Sequence, residues 1–230
     1  MLLVNDMYPA IQGEGVWTGR PMYLIRLHGC NVGCPFCDTN HAQDTTVVNN
    51  KETSFLEARG ENGKFTVMQP EEVVAQVMQE WNFELVMITG GEPMLQGMDL
   101  EHLVRELGRV GYKCHLETSG TVPWDKDIGL VPDIFRWVTV SPKLKGKVPF
   151  IKDNLQHAHE VKWPIENESD IVTLMKLIQV TPMKKGSVLS LHPILLGDKY
   201  NDNLIQLCSR EAMRNGWNLS IQIHRLLNLK

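Results

Sequence analysis

Four times along this chain a short apolar run gives way to a compact polar motif, and no other feature constrains the fold as strongly. Met22 to Leu27 runs into a cysteine-bearing loop, and Leu85 to Thr89 into Gly90-Gly91-Glu92-Pro93. Tyr112 to Leu116 runs into Glu117-Thr118-Ser119-Gly120, and Phe135 to Val140 into Ser141-Pro142-Lys143. Segments of helical periodicity lie between and beyond these runs. Pro70-Glu71-Glu72 opens one, with proline in the first turn and acids where the helix dipole favours them, and Val73, Val74, Val77 and Met78 share its apolar face. Asp99 opens a second, carrying Leu100, Leu103, Val104 and Leu107 at helical spacing. Further helices are predicted from Ser169 to Gln179 and from Asn203 to Asn215, the latter ended by Gly216, with further strands from Val188 to Leu191 and from Trp217 to Ile223.

Strands alternating with helices imply a parallel sheet of crossover units, whose functional loops gather at the carboxyl ends of the strands. All four motifs occupy that position. About six strands are predicted, fewer than the eight of a closed barrel, so the expected architecture is α/β, an open, partial TIM-like barrel of mostly parallel strands. Polar residues 42–66 read as an exposed insertion in a single domain spanning 1–230.

The triplet Cys30-x3-Cys34-x2-Cys37 carries the chemistry. Cubane iron–sulfur clusters are usually held by four thiolates, so three on one loop leave an iron with an open position for a ligand. Structural zinc would need a fourth ligand, which Asp38 or His41 is near enough in sequence to supply, and half of a ferredoxin would need a further cysteine. Of the five cysteines, Cys114 and Cys208 stand in apolar surroundings and read as buried small hydrophobes.

The 230 residues are 43% hydrophobic and 22% charged, a balance that fits a globular domain with a substantial core. A net charge of −4 with no broad basic patch argues against direct nucleic-acid binding, and Lys143-Leu144-Lys145-Gly146-Lys147 suits a small anionic ligand instead. No run approaches the roughly 18 apolar residues of a membrane span. The start Met1-Leu2-Leu3-Val4-Asn5-Asp6 lacks the basic and apolar regions of a signal peptide, so no membrane association and a cytoplasmic location are expected.

The cysteine triplet, with Phe36 before its last member, together with Gly90-Gly91-Glu92-Pro93 after a strand, resembles the radical S-adenosylmethionine (SAM) superfamily. Within it, Gln12-Gly13-Glu14-Gly15, Arg26, Cys37-Asp38-Thr39, Glu117 to Thr121, Val138 to Lys143 and Gln222-Ile223-His224-Arg225 resemble the 7-carboxy-7-deazaguanine synthases, in the enterobacterial-like form, over almost the whole chain. The resemblance implies a radical SAM core and ring contraction of 6-carboxy-5,6,7,8-tetrahydropterin to 7-carboxy-7-deazaguanine with loss of ammonia, in 7-deazapurine biosynthesis of the queuosine type. It implies a 4Fe–4S cluster on Cys30, Cys34 and Cys37, and SAM contacts from Phe36, Cys37, Asp38, Gly91, Ser141, Pro142 and Lys143. It places Ile11, Gln12, Gly13, Glu14, Arg26, Thr89 and His224 around the pterin, and Thr39 on a Mg2+ ion. A flavodoxin-like reductant and a homodimer are also implied.

Elementary chemistry suits these roles. A glutamate accepts from a pterin's 2-amino and N3–H groups, an arginine pairs bidentately with a carboxylate, and a threonine oxygen is a hard ligand of the kind Mg2+ prefers. Taken alone, Arg26 also fits a structural strand arginine, Thr39 a loop cap and Glu14 a solvated turn. His192 and Arg225 depart from the glutamine and lysine of the family pattern, and Pro9 stands just before the Gln12 loop. His28, His102, His115, His157 and His159 read as surface or structural. Two other readings remain for the triplet: a glycyl-radical-enzyme activase of the same superfamily, and a non-catalytic iron–sulfur or zinc module.

Overall fold

The computed structural model describes residues 1–35, 37, 39–43, 65–80, 83–195, 197 and 199–229. Phe36, Asp38 and most of the expected insertion at 42–66 lie outside the described residues. Nine strands form one sheet among the described residues: β1 (Leu2–Ile11), β2 (Pro21–Leu27), β3 (Thr66–Met68), β4 (Leu85–Gly90), β5 (Lys113–Thr118), β6 (Trp137–Val140), β7 (Glu160–Ile165), β8 (Val188–Pro193) and β9 (Asn218–Leu219). Their order is β3-β1-β2-β4-β5-β6-β7-β8-β9. From β2 to β9 every pairing is parallel, while β1 runs antiparallel to both β2 and β3.

Four helices serve as crossovers: α1 (Pro70–Gln79), α2 (Gly97–Arg109), α3 (Glu168–Val180) and α4 (Asp202–Asn215). Capping boxes start α1 (Gln69 with Glu72) and α3 (Asn167 with Asp170), and Gly216 ends α4 in the left-handed conformation with φ 68°. The apolar faces of all four pack on the outer side of the sheet against Tyr23, Ile25, Val86, Ile88, Leu116 and Trp163. Cys114 and Cys208 belong to this core, and burial pushes their thiols up to about 12 and about 11.

Strand side chains alternate between faces, so the intervening residues point inward. Met22, Leu24, Leu85 and Met87 make a small apolar inner wall, while Arg26, Glu117, Lys162 and His192 line a cavity further along the same face. One cavity lined from β1 round to β8 means that the sheet curls into an open barrel.

Three differences from the sequence reading stand out. The sheet has nine strands where about six are expected, because β1, β3 and β7 escape the pattern. Pro9 lies within β1 and Pro164 within β7, paired with Tyr23 and His192 on one side, and each sits where the neighbour on the other side is missing. The short β3 covers only Leu2 to Val4 of β1, and β6 reaches only Glu160 and Val161 of β7. The expected strand from Trp217 to Ile223 shrinks to the two residues of β9, and Ile223–Leu226 is a short helix, α5. There the polar residues Ser220 and Gln222 are buried and Leu219 is exposed, the reverse of the expected alternation.

Candidate active site

A cavity of about 260 Å³ opens at the carboxyl ends of the parallel strands. Ile11, Gln12, Gly13, Glu14, Arg26, Thr89 and His224 all line it, and so do Cys30, Cys34, Cys37 and Thr39. Gly91, Ser141 and Lys143 complete the set, whereas Pro142 is buried and does not reach the cavity.

The motifs are joined by a buried network around Glu92, which is fully enclosed. Its carboxylate accepts from Met94 N at 3.1 Å, Thr118 Oγ1 at 2.8 Å, and both the backbone N (2.8 Å) and Oγ (2.5 Å) of Ser119. Ser119 Oγ contacts Thr121 Oγ1 at 2.9 Å, and Thr121 Oγ1 donates to Asn31 Oδ1 at 2.9 Å. Three sequence-distant loops are thereby held in one register. Burial pushes the Glu92 carboxyl up against the pull of these donors.

Close backbone approach explains the glycine pair. A Cβ on Gly91 would fall 2.2 Å from Gly29 O and 2.7 Å from Ala42 O, and Gly90 has φ 145°. The loop after β4 therefore lies against the residue that precedes Cys30.

Arg26 Nε pairs with Asp6 Oδ2 at 3.2 Å, across directly paired positions of β1 and β2 beside a register shift between Val4 and Asp6. His41 Nε2 approaches the same Asp6 oxygen at 3.5 Å. Thr39 Oγ1 lies 3.6 Å from Cys37 Sγ. Lys143 Nζ donates to Ser141 Oγ at 2.8 Å.

On the opposite wall the sequence reading missed the decisive residue. Lys162 Nζ donates to Glu14 Oε2 at 2.5 Å and to Glu117 Oε1 at 3.2 Å. Glu14 Oε1 accepts from Gln222 Nε2 at 2.8 Å. Burial raises the Glu14 carboxyl, but the charges of Lys162 and His192 and the two hydrogen bonds outweigh it and hold it well below the usual carboxylate range. Burial correspondingly lowers Lys162, and the carboxylates of Glu117 and Glu14 outweigh it, leaving the ammonium well above its ordinary value. Lys162 belongs to no motif; the signal for it is a lysine set between the apolar Val161 and Trp163.

Residues 24–143 match the model of the Radical SAM superfamily, just over half of the chain. The 7-carboxy-7-deazaguanine synthase of Escherichia coli (strain K12) is 35% identical over 232 residues, covering 98% of each chain. That of Buchnera aphidicola subsp. Schizaphis graminum is 31% identical over 99% of this chain and 98% of the relative. This chain belongs to the 7-carboxy-7-deazaguanine synthase family. The crystal structure of QueE from Escherichia coli superposes with a TM-score of 0.78 at 33% identity, over 96% of this chain and 93% of that one. Streptococcus suis SuiB, bound to precursor peptide SuiA, shares the fold at a TM-score of 0.53 and 14% identity, over 86% of this chain and 47% of SuiB.

Radical SAM family membership implies a 4Fe–4S cluster and SAM, and the residues present fit them. Cys30, Cys34 and Cys37 are free, partly exposed thiols facing one cavity, each close enough to feel another's charge. Burial pushes Cys34 up to about 11, opposed by Lys143, so metal binding has to draw off its proton.

Proposed function

We propose that this chain converts 6-carboxy-5,6,7,8-tetrahydropterin to 7-carboxy-7-deazaguanine with loss of ammonia, as a carbon–nitrogen lyase in the synthesis of a queuosine-type 7-deazapurine precursor. One observation carries this reading. In a chain 35% identical to the Escherichia coli synthase over 98% of its length, the three thiols, the glycine cradle and a donor–acceptor set suited to a carboxylated pterin meet in one cavity.

Cys30, Cys34 and Cys37 would hold the cluster, and with SAM it would supply the one-electron chemistry that side chains lack. The protein supplies position and environment. Glu14, held as a carboxylate, accepts from the 2-amino and N3–H groups of the pterin. Arg26, its Nε held by Asp6, keeps its terminal nitrogens for the substrate carboxylate. Ile11, Gln12, Gly13, Thr89 and His224 complete the substrate walls. Gly91, Ser141 and Lys143, which line the cavity, would face SAM, with Pro142 behind them, and family resemblance adds Phe36, Cys37 and Asp38 to the same contact. The apolar wall of Met22, Leu24 and Met87 keeps water from the reacting ring.

Thr39 would hold a Mg2+ ion in this reading, supported by its hard oxygen in the lining of the cavity, and the ion would supply positive charge for the substrate carboxylate. Family resemblance supports a flavodoxin-like reductant, a homodimer and a cytoplasmic site of action. No helix among the described residues is long and apolar enough to cross a membrane. Anaerobically reconstituted protein given a one-electron reductant, SAM, Mg2+ and the pterin is expected to form 7-carboxy-7-deazaguanine, followed by chromatography and mass. A cluster-loaded preparation that makes none refutes the assignment.

A further inference from the structure

Lys162 is 3% exposed and stands on the inner face of β7. It bridges two carboxylates that arrive from different places: Glu14 from the loop after β1, and Glu117 from β5. Each has a further partner, since Gln222 Nε2 donates to Glu14 at 2.8 Å and Gln12 Nε2 donates to Glu117 at 3.4 Å. Two other titratable groups bear on the cluster. Glu160, one inward position before Lys162, is engaged by Ser190 Oγ (2.5 Å) and Val16 N (3.2 Å), and His192 Nδ1 lies 3.2 Å from Ser220 Oγ. A buried ion pair adds little stability over apolar residues of the same volume. An enclosed lysine joining two cavity-facing acids therefore needs a reason in recognition rather than in folding.

We propose that Lys162 is a positioning residue that sets Glu14 and Glu117 as a rigid, acceptor-only pair, and that this pair selects a ring carrying an amino group at position 2 over one carrying an oxo group there. The inference rests on the pterin reading of the cavity. An ionised carboxylate offers only lone pairs, so it matches the N–H edge of a 2-amino-4-oxo ring. A 2-oxo ring keeps its N3–H but turns a lone pair toward the carboxylate oxygen that the 2-amino group would meet, and leaves that oxygen and the 2-oxo group unpaired in a dry site, which is costly. Without the ammonium that both face, the two acids disfavour each other's charge in an enclosed site, and one of them takes up a proton. One then acquires an O–H donor, and the 2-oxo ring gains a partner. Lys162 thus acts on the substrate through the two acids.

The test is equilibrium binding by calorimetry to the reconstituted, SAM-loaded protein, with 6-carboxy-5,6,7,8-tetrahydropterin and its 2-oxo counterpart as probes. Lys162→Met is expected to shrink the preference for the 2-amino ring by roughly tenfold to a hundredfold, the range of a hydrogen bond to a charged group. Lys162→Arg, which keeps the charge, is expected to retain most of it. A Lys162→Met protein that keeps the full preference, or that weakens both probes equally, overturns the role of Lys162. If that variant does not fold, Glu117→Gln puts an amide donor beside Glu14, and an unchanged preference there overturns the acceptor-only pair. Wild-type protein that binds neither ring overturns the pterin reading itself, and this inference with it.

Discussion

The imidazole of His224 fills the space in which a side chain at position 13 would begin: a Cβ placed on Gly13 falls 2.0 Å from Nδ1 of His224. The backbone locks the same pair of segments, since Ile223 N donates to Gly13 O at 3.0 Å. The loop after β1 and the helix α5 are therefore seated against each other where both line the cavity. Gly13→Ala has to displace the ring, and is expected to raise the KM for the pterin by about tenfold, the scale of an overpacked contact. In a His224→Ala background the same change is expected to cost far less. A double-mutant cycle on KM reads this coupling, and additive losses contradict it.

Gly91 faces backbone rather than a movable side chain, with Gly29 O and Ala42 O in the way of any Cβ. Gly91→Ala is expected to shift the start of the cysteine loop and reduce iron and sulfide bound per chain after reconstitution, with far-ultraviolet circular dichroism little changed. Full iron content in the variant would show that the loop yields.

Glu92 takes its hydrogen bonds as an acceptor from four donors. Glu92→Gln places an amide N–H against some of them and leaves buried groups unsatisfied. The expected loss is about 2–3 kcal/mol, or roughly 5–10 °C in Tm by calorimetry. An unchanged Tm would mean that the network adapts without cost.

Stability on the acid side depends on His115. Burial, with Arg136 and His159 adding, lowers it to about 4, and its neighbour His159 is lowered as well. A histidine whose folded value lies below its unfolded value of about 6.5 gives up stability as pH falls, because the unfolded chain takes the proton first. The loss begins near pH 6.5, is complete near pH 4 and amounts to at most about 3 kcal/mol for His115. His115 packs between Trp17 (ring centroids 4.7 Å apart) and Trp137 (6.4 Å), so Phe is a fair replacement in shape. Urea midpoints between pH 7 and pH 4.5 are expected to fall less steeply in His115→Phe than in the wild type.

Five expected strands match β2, β4, β5, β6 and β8 to within two residues, and every motif placed after a strand stands at a strand's carboxyl end. These are legible because each rests on neighbours in the chain: an apolar run, a capping residue, a glycine pair. In β7 the pattern is equally regular, but its inward members are Glu160, Lys162 and Pro164, so it does not look like a strand. The usual expectation of an apolar inner face fails where the inside of a barrel is a binding site. In β1, Asn5, Asp6 and Pro9 break the apolar run, and in the segment after Trp217 the buried residues are the polar ones.

The chemistry of the chain is local information. Thiols at C-x3-C-x2-C spacing point to a metal or cluster site, and a glycine pair to something that approaches the backbone closely; the structure shows that the latter is the backbone of Leu27, Gly29 and Ala42. The charge inside the cavity is not local, because Lys162 stands 148 positions from Glu14, and Gln222 stands 208 from it. Nothing in the run Glu160 to Ile165 says which acids the lysine will meet. Only the curl of the sheet brings β7, the loop after β1 and the end of the chain within hydrogen-bonding reach, and excludes the water that would otherwise screen them.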